Sequence, residues 1–199
     1  MEKQKIIFAS RNRGKAKEVN AILGAEKYEV LTLHDFPDIP EIEETGTTFY
    51  ENAVIKAKAV YELLRTPVIA DDSGLCVDQL GGAPGVYSAR FAGKDAGDKA
   101  NTQKLLKELT GKPVPHPAKF VCCAVYYDGN RLISADGEIH GEIIPTPRGT
   151  GGFGFDPVFL PTGRTETMAE LAPEEKNSIS HRFRAFDRLT KLLESTEHQ

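Results

Sequence analysis

Residues 68–74 read Val-Ile-Ala-Asp-Asp-Ser-Gly, and the chain is organised around this stretch. Its three apolar residues predict a short buried strand that ends on the adjacent carboxylates of Asp71 and Asp72. Ligands of open α/β sheets bind at the carboxyl ends of strands. Two adjacent carboxylates repel each other unless a cation lies nearby, and Mg²⁺ is the usual cation where phosphates also bind. The stretch therefore predicts either a metal-assisted phosphate site or an ordinary Asp-rich turn.

The composition is typical of a globular protein. The chain has 199 residues, 40% hydrophobic and 27% charged, which fits a single domain over residues 1–199. Its apolar runs are far shorter than the ~20 residues of a membrane span. The N-terminus lacks a signal-peptide pattern, so we expect a cytoplasmic protein with no membrane partner. A net charge of −4 argues against nucleic acid as a partner, and the three cysteines lack metal-ligand spacing.

The N-terminal part of the chain predicts a strand, a basic loop and a helix. Residues 5–10 are apolar and β-branched, which favours a strand. Apolar spacing then predicts a helix from Ala16 to Leu23 that ends at Gly24. Between them lies the loop 11–15, Arg-Asn-Arg-Gly-Lys. A helix N-terminus with a nearby lysine is a natural phosphate site, but the P-loop spacing is missing, so a solvated turn is the alternative.

An acidic segment, residues 41–46, precedes a strong helix start. Thr48 and Glu51 have the spacing of a capping box. Glu43 and Glu44 either complement the dipole of this helix or contribute one carboxylate to a Mg²⁺ site with the Asp pair. A helix packed beside the strand at 68–74 would bring them together.

The second half of the chain predicts further sheet strands. Residues 120–127 are apolar on both faces, which indicates a central strand. A turn at 128–130 leads into one or more antiparallel strands over 131–144, so we expect a mixed sheet. Residues 98–109 predict a helix, and the proline-dense segment near 111–117 is a candidate hinge between two lobes.

Two further stretches have the character of a ligand site. The glycine-rich loop (residues 148–157) combines four glycines with two aromatic residues and one Asp. Glycines let a backbone approach a ligand closely, and the aromatic rings offer faces for base stacking, although a turn with its aromatics in the core is the alternative. A helix predicted over 178–193 carries a cationic cluster at its start, which suits an anion. Arg90 is either a phosphate anchor or a structural ion-pair partner.

These motifs, in this order, resemble the inosine triphosphate pyrophosphatase family, the dITP/XTP pyrophosphatases. The resemblance extends from Ser10 to Arg182. It rests on Ser10-x-Asn12-x-x-Lys15, Glu-Glu-Thr-Gly-x-Thr-Phe-x-Glu-Asn-Ala at 43–53, Ala-Asp-Asp-Ser-Gly-Leu at 70–75, Gly-Gly-Ala-Pro-Gly at 81–85, Gly-Thr-Gly-Gly-Phe-Gly-x-Asp-Pro at 149–157, and Ser180-His181-Arg182.

The resemblance implies a long mixed twisted sheet flanked by helices, with two lobes around a central cleft, and a homodimer. It also implies Mg²⁺-dependent hydrolysis between the α and β phosphates of ITP, dITP or XTP, giving the monophosphate and pyrophosphate. Donors that face a 6-keto group would accept hypoxanthine or xanthine and reject adenine. Guanine shares the 6-keto group, so its exclusion is left open.

By the same motif match, Asp72 is the general base, and Glu43 and Asp72 are the Mg²⁺ ligands. Phe155 stands where relatives often carry Tyr or Trp. The implied substrate-binding residues are Ser10, Arg11, Asn12, Arg13, Gly14, Lys15, Ser73, Phe153, Gly154, Phe155, Asp156, Lys176, His181 and Arg182.

Two other functions compete with this one. A pyrophosphatase of the same fold, like the septum-inhibition-related enzymes, would turn over dTTP or UTP equally well. A nucleotide-binding regulator would bind ITP tightly and form no product. The presence of Asp72, Glu43 and Lys15 argues against the regulator, because a binder needs no metal-and-base set.

Overall fold

The computed structural model of the chain describes residues 3–23 and 27–196, so the predicted helix end at Gly24 lies outside them. Six strands form one sheet in the order β2-β1-β3-β4-β5-β6. The strands are β1 (Gln4–Phe8), β2 (Tyr28–Thr32), β3 (Val68–Val77), β4 (Pro117–Tyr127), β5 (Leu132–Ile143) and β6 (Phe159–Pro161). The helices are α1 (Arg13–Leu23), α2 (Phe49–Leu64), α3 (Asp98–Leu109), α4 (Pro173–Ile179) and α5 (His181–Thr196).

The sheet is mixed, as the sequence predicts. β1 pairs in parallel with both β2 and β3, whereas β5 pairs with β6 antiparallel. β4 lies between β3 and β5 in the strand order, which confirms the prediction of a central strand. Within the described ranges, none of the helices is long and apolar enough to cross a membrane.

Two compact units divide the chain. The first contains residues 1–72, 122–137 and 182–199, and the second contains residues 73–121 and 138–181. The segment near 111–117 lies inside the second unit, and its role as a hinge stays a prediction.

The first unit has a separate apolar cluster on each face of its strands. Alternate residues of β1 enter different clusters, because successive strand residues point to opposite faces. Ile6 and Phe8 pack with α1 and α5, whereas Ile7 packs with α2. Helices therefore cover both faces of the sheet in this unit.

The second unit has one apolar cluster. Its members come from α3, from the strands and from the residues that follow the glycine-rich loop. They include Leu105, Leu109, Phe120, Val158 and Phe159. The helix predicted over residues 98–109 has the bounds of α3. The glycine-rich loop therefore packs against this apolar cluster.

Three sequence predictions of element ends are wrong. α1 begins at Arg13 and not at Ala16, so part of the predicted loop 11–15 is helical. β3 does not end at the Asp pair but continues to Val77, so both carboxylates lie within a ten-residue strand. The helix predicted over 178–193 is two helices, because Ser180 adopts an extended backbone, with φ −65° and ψ 154°, between α4 and α5. Apolar spacing alone cannot show that a single residue leaves the helical conformation.

Candidate functional site

Asp71 and Asp72 face opposite sides of the sheet, because they are consecutive residues of β3. Asp71 meets side chains of α1 and α5, and Asp72 meets side chains of α2. Both carboxylates belong to the first unit, and both are buried. The two halves of the Asp pair therefore have different environments.

Asp71 is held by two cations. Lys15 Nζ lies 3.0 Å from Asp71 Oδ2, and Arg182 Nε lies 3.2 Å from the same oxygen. Cys122 Sγ also donates to it at 3.7 Å. Burial raises the pKa of Asp71, but the charges of Lys15, Arg182 and Lys56 outweigh burial and hold that pKa well below its usual range. Asp71 is therefore ionised and fixes the direction of the Lys15 side chain.

Arg182 is almost completely buried. It is 1% exposed, and its guanidinium bridges Asp71 and Glu18. Burial lowers the pKa of Arg182, but the charges of Asp71 and Glu18 outweigh burial and hold that pKa above its ordinary value. This geometry favours a positioning role in the network of Lys15, and substrate contact by Arg182 stays a prediction.

Asp72 meets the polar face of α2. Asn52 Nδ2 donates to Asp72 Oδ2 at 3.0 Å, and Lys56 Nζ lies 3.8 Å from Asp72 Oδ1. Burial raises the pKa of Asp72, and Glu44 adds to the rise, although Lys56 and Lys15 oppose it. A carboxylate with a raised pKa is a stronger proton acceptor, as a general base requires.

Sequence reasoning missed Asn52 and Lys56. The capping box that it did predict is present: Glu51 N donates to Thr48 Oγ1, and the Glu51 carboxylate accepts from Thr48 N, each at 3.1 Å. Once the helix start is fixed, residues four apart share a face. Asn52 and Lys56 could have been found from this spacing, had the polar face of the helix been followed as well as the apolar one.

The acidic segment reaches Asp72 through Lys56. Lys56 Nζ lies 2.5 Å from Glu44 Oε1, so one ammonium group joins the carboxylates of Glu44 and Asp72. Glu43, the predicted metal ligand, is exposed. Over residues 3–23 and 27–196, no group of three or more His, Cys, Asp or Glu side chains is arranged to hold a metal.

The donor set nonetheless fits a hard cation. Mg²⁺ is bound by one or two carboxylates together with substrate phosphates, so a full cage of protein ligands is not required. Asp72 provides a buried carboxylate, and Glu44 of the acidic segment lies near it, because both pair with Lys56. Asp71 Oδ1 is also buried and lacks a hydrogen-bond partner in the described part of the chain, but Asp71 faces the opposite side of the sheet and is not assigned to this ion. The roles of Glu43 and Asp72 as ligands stay predictions.

The basic loop forms the start of α1. Ser10 Oγ accepts from Asn12 N at 3.1 Å, and Asn12 Oδ1 accepts from Lys15 N at 3.0 Å, which is the contact of a helix N-cap. Arg11 donates to the carbonyl of Ile39 at 2.5 Å. Arg13 is exposed and Gly14 is half-buried. The loop thus orders the first turn of a helix whose Lys15 reaches Asp71.

In the second unit the glycine-rich loop and α4 meet in one cluster. Asp156 Oδ2 accepts from Phe153 N at 2.9 Å and pairs with Lys176 Nζ at 2.6 Å. The same Lys176 nitrogen lies 4.8 Å from the centre of the Phe153 ring. At Gly152, with φ +70°, an added Cβ would clash with Asp156 Oδ2, so this position is restricted to glycine.

The two aromatic residues of the loop have different surroundings. Phe155 is buried in the apolar cluster of the second unit, whereas Phe153 is half-buried beside Lys176. The core alternative therefore holds for Phe155, and Phe153 remains the candidate for base stacking. His181 lies 4.9 Å from Phe120, with the two ring planes 13° apart, and Ser73 is half-buried in β3.

The chain matches known proteins over nearly its whole length. The model of the Ham1 family matches residues 6–192. The dITP/XTP pyrophosphatase of Geobacillus kaustophilus is 52% identical over 98% of this chain and 95% of its own length. That of Bacillus subtilis is 48% identical over 95% of this chain and 96% of its own. The structure of the Staphylococcus aureus Ham1 protein matches with a TM-score of 0.86 at 40% identity, over 97% of this chain and all of that one.

Proposed function

Since the chain belongs to the Ham1 family, we propose that it is a nucleoside triphosphate pyrophosphatase acting on dITP, XTP and ITP. It cleaves the bond between the α and β phosphates and releases the monophosphate and pyrophosphate. Relatives about half identical to it over nearly their whole length are named dITP/XTP pyrophosphatases. The observation that carries the proposal is the Asp pair of β3, with its lysines Lys15 and Lys56.

These side chains suit phosphoryl chemistry. Hydrolysis of a phosphoanhydride depends mainly on positioning and on neutralising charge. Lys15, directed by Asp71, is the cation offered to the phosphates. Lys56 lies between two carboxylates and orients Asp72. Asp72, whose pKa burial raises, takes the proton of the attacking water.

We assign Mg²⁺ to Asp72 and the acidic segment, with Glu43 as the second ligand. When bound, the ion supplies positive charge that polarises the phosphate oxygens. Two contacts between protein side chains hold the site in place: Asn52 donates to the Asp72 carboxylate, and Glu44 pairs with Lys56.

Base selection belongs to the second unit in this proposal. The half-buried Phe153 ring offers a stacking face, and Lys176 offers a donor for a 6-keto oxygen. Adenine carries an amino group at the same position, which would leave such a donor unpaired, and that loss disfavours ATP.

We further propose that the protein is a homodimer of the cytoplasm, where its nucleotide substrates occur, with neither nucleic acid nor membrane as a partner. The dimer is tested by light scattering of the purified chain. A mass of about twice 21.8 kDa is expected, and a mass near 21.8 kDa would refute it.

A substrate panel tests the proposed activity. ITP, XTP, GTP, ATP, dTTP and UTP are supplied at equal concentrations with Mg²⁺, and initial rates of pyrophosphate release are compared. We expect ITP and XTP to react at least about tenfold faster than the others, a difference of ~1.4 kcal/mol in activation free energy. Equal rates for dTTP or UTP would favour the related pyrophosphatase. Tight ITP binding without product would favour the regulator.

A further inference from the structure

The start of α3 holds the glycine-rich loop by its backbone. Asp98 is the first residue of α3, and its Oδ2 accepts a hydrogen bond from Gly154 N at 2.7 Å. One helical turn later, Thr102 Oγ1 lies 3.5 Å from the carbonyl oxygen of Gly154. The two polar backbone atoms of one glycine are therefore both contacted from the same helix. All three residues belong to the second unit.

Gly154 is a position where such a restraint matters. Its φ of +63° is in the left-handed region, which glycine enters freely and leaves just as freely. Its chain neighbours differ in surroundings, because Phe155 is fixed in the apolar cluster and Phe153 is half-buried beside Lys176. The conformation of Gly154 therefore sets where the Phe153 ring lies relative to the fixed core.

Two carboxylates bind consecutive amides on this stretch. Asp156 accepts from Phe153 N at 2.9 Å, and Asp98 accepts from Gly154 N at 2.7 Å. A hydrogen bond to an ionised acceptor is stronger than one between neutral groups. The Phe153 backbone is thus restrained from within the loop and from a helix 56 residues earlier in the chain.

An acidic residue in the first turn of a helix also has a simpler explanation, since it complements the helix dipole. That explanation requires no contact with Gly154, whereas the observed carboxylate is directed at one backbone amide of the loop. The two explanations predict different kinetics.

We propose that Asp98 is a positioning residue that presets the Phe153 ring for the nucleobase and so determines affinity for the purine substrate. This inference rests on the proposed function. Asp98 acts through Gly154 and contacts neither the phosphates nor the attacking water, so its loss affects binding of the base and leaves the chemical step intact.

The test compares Asp98→Ala with Asp98→Asn and with the matched control Asp95→Ala, which removes another exposed carboxylate three residues earlier. We expect Asp98→Ala to raise KM for ITP about tenfold with kcat within about twofold of wild type. Asp98→Asn keeps an oxygen acceptor and should restore KM to within about threefold. Asp95→Ala should match wild type.

A probe without a base separates positioning from a general loss of structure. Inorganic tripolyphosphate, used as a competitive inhibitor, should keep its inhibition constant in Asp98→Ala. An unchanged KM for ITP with a lowered melting temperature would overturn the inference in favour of the helix-dipole role. An equal loss of tripolyphosphate affinity would overturn it too. If the wild-type chain fails to hydrolyse ITP, the proposed function fails and the inference fails with it.

Discussion

Asp71 and Asp72 are neighbours in the chain, yet their carboxyl groups have opposite electrostatic settings. Burial raises both pKa values, but Lys15 and Arg182 reverse the effect at Asp71, whereas Asp72 keeps a raised pKa. The pleat of β3 is the cause, since it directs one carboxylate towards α1 and α5 and the other towards α2. One residue thus stabilises neighbouring cations, while the raised pKa of the next is what the proposed general base requires.

Substitution of these two residues separates the roles. Asp72→Asn should reduce kcat to less than a tenth of wild type, an effect above ~1.4 kcal/mol. Its free energy of unfolding should stay near wild type. Burial disfavours the ionised Asp72 carboxylate, in line with its raised pKa, and the neutral amide avoids that cost. Steady-state kinetics and urea unfolding measure the two quantities.

Asp71→Asn is the matched comparison. It leaves Lys15 and the buried Arg182 short of one negative charge, and breaking such a buried pair costs about 3 kcal/mol of unfolding free energy. If Asp72→Asn kept more than a tenth of the activity, the general-base role would be wrong. If Asp71→Asn were as stable as wild type, the Asp71 network would not be a stabilising one.

At the scale of elements, α2 shows what a local sequence signal can fix. Thr48 and Glu51 predict the helix start, and the structure has both hydrogen bonds of the capping box. The helix start in turn determines that Asn52 and Lys56 share the face that meets Asp72. A capping box involves only four consecutive residues, so it can be predicted from the sequence.

The cap itself is testable. Thr48→Ala removes the acceptor for Glu51 N and should lower the free energy of unfolding by about 1 kcal/mol. Thr48→Ser keeps the hydroxyl and should be close to wild type. Chemical denaturation of both variants measures the difference, and equal stability of the two would show that the capping hydrogen bond contributes nothing.

Long-range contacts explain where the sequence was insufficient. β3 continues through the Asp pair because Asp71 is neutralised by Arg182, which is 111 residues away in the chain. The sequence indicated the carboxylates but not this partner, so a strand end was the natural prediction. The break at Ser180 also escaped, because apolar spacing continues on both sides of it.

At the scale of the whole molecule, the mixed sheet and its flanking helices were predictable from apolar runs and from the family resemblance. The contacts of Lys15, Asp72 and Arg182 were not, because they depend on side chains distant in sequence. Within the first unit the structure joins Lys15, Asp71 and Arg182, and within the second it joins Phe153, Asp156 and Lys176. The hinge near 111–117 and the homodimer stay predictions.

Dependence on a divalent cation is a property of the whole site. We expect chelation with EDTA to reduce ITP hydrolysis by at least about a hundredfold, a loss of ~2.7 kcal/mol in transition-state stabilisation. Added Mg²⁺ should restore the rate, and the melting temperature should be unchanged by the chelator. Full activity in EDTA would refute the metal assignment to Asp72 and Glu43.

The products formed from ITP distinguish a pyrophosphatase from other nucleotide hydrolases. The purified chain is incubated with ITP and Mg²⁺, and inosine nucleotides, pyrophosphate and orthophosphate are separated and quantified, with Asp72→Asn as the control. We expect IMP and pyrophosphate in equal amounts from the wild type and almost none from the variant. IDP with orthophosphate, or no turnover of ITP by the wild type, would contradict it.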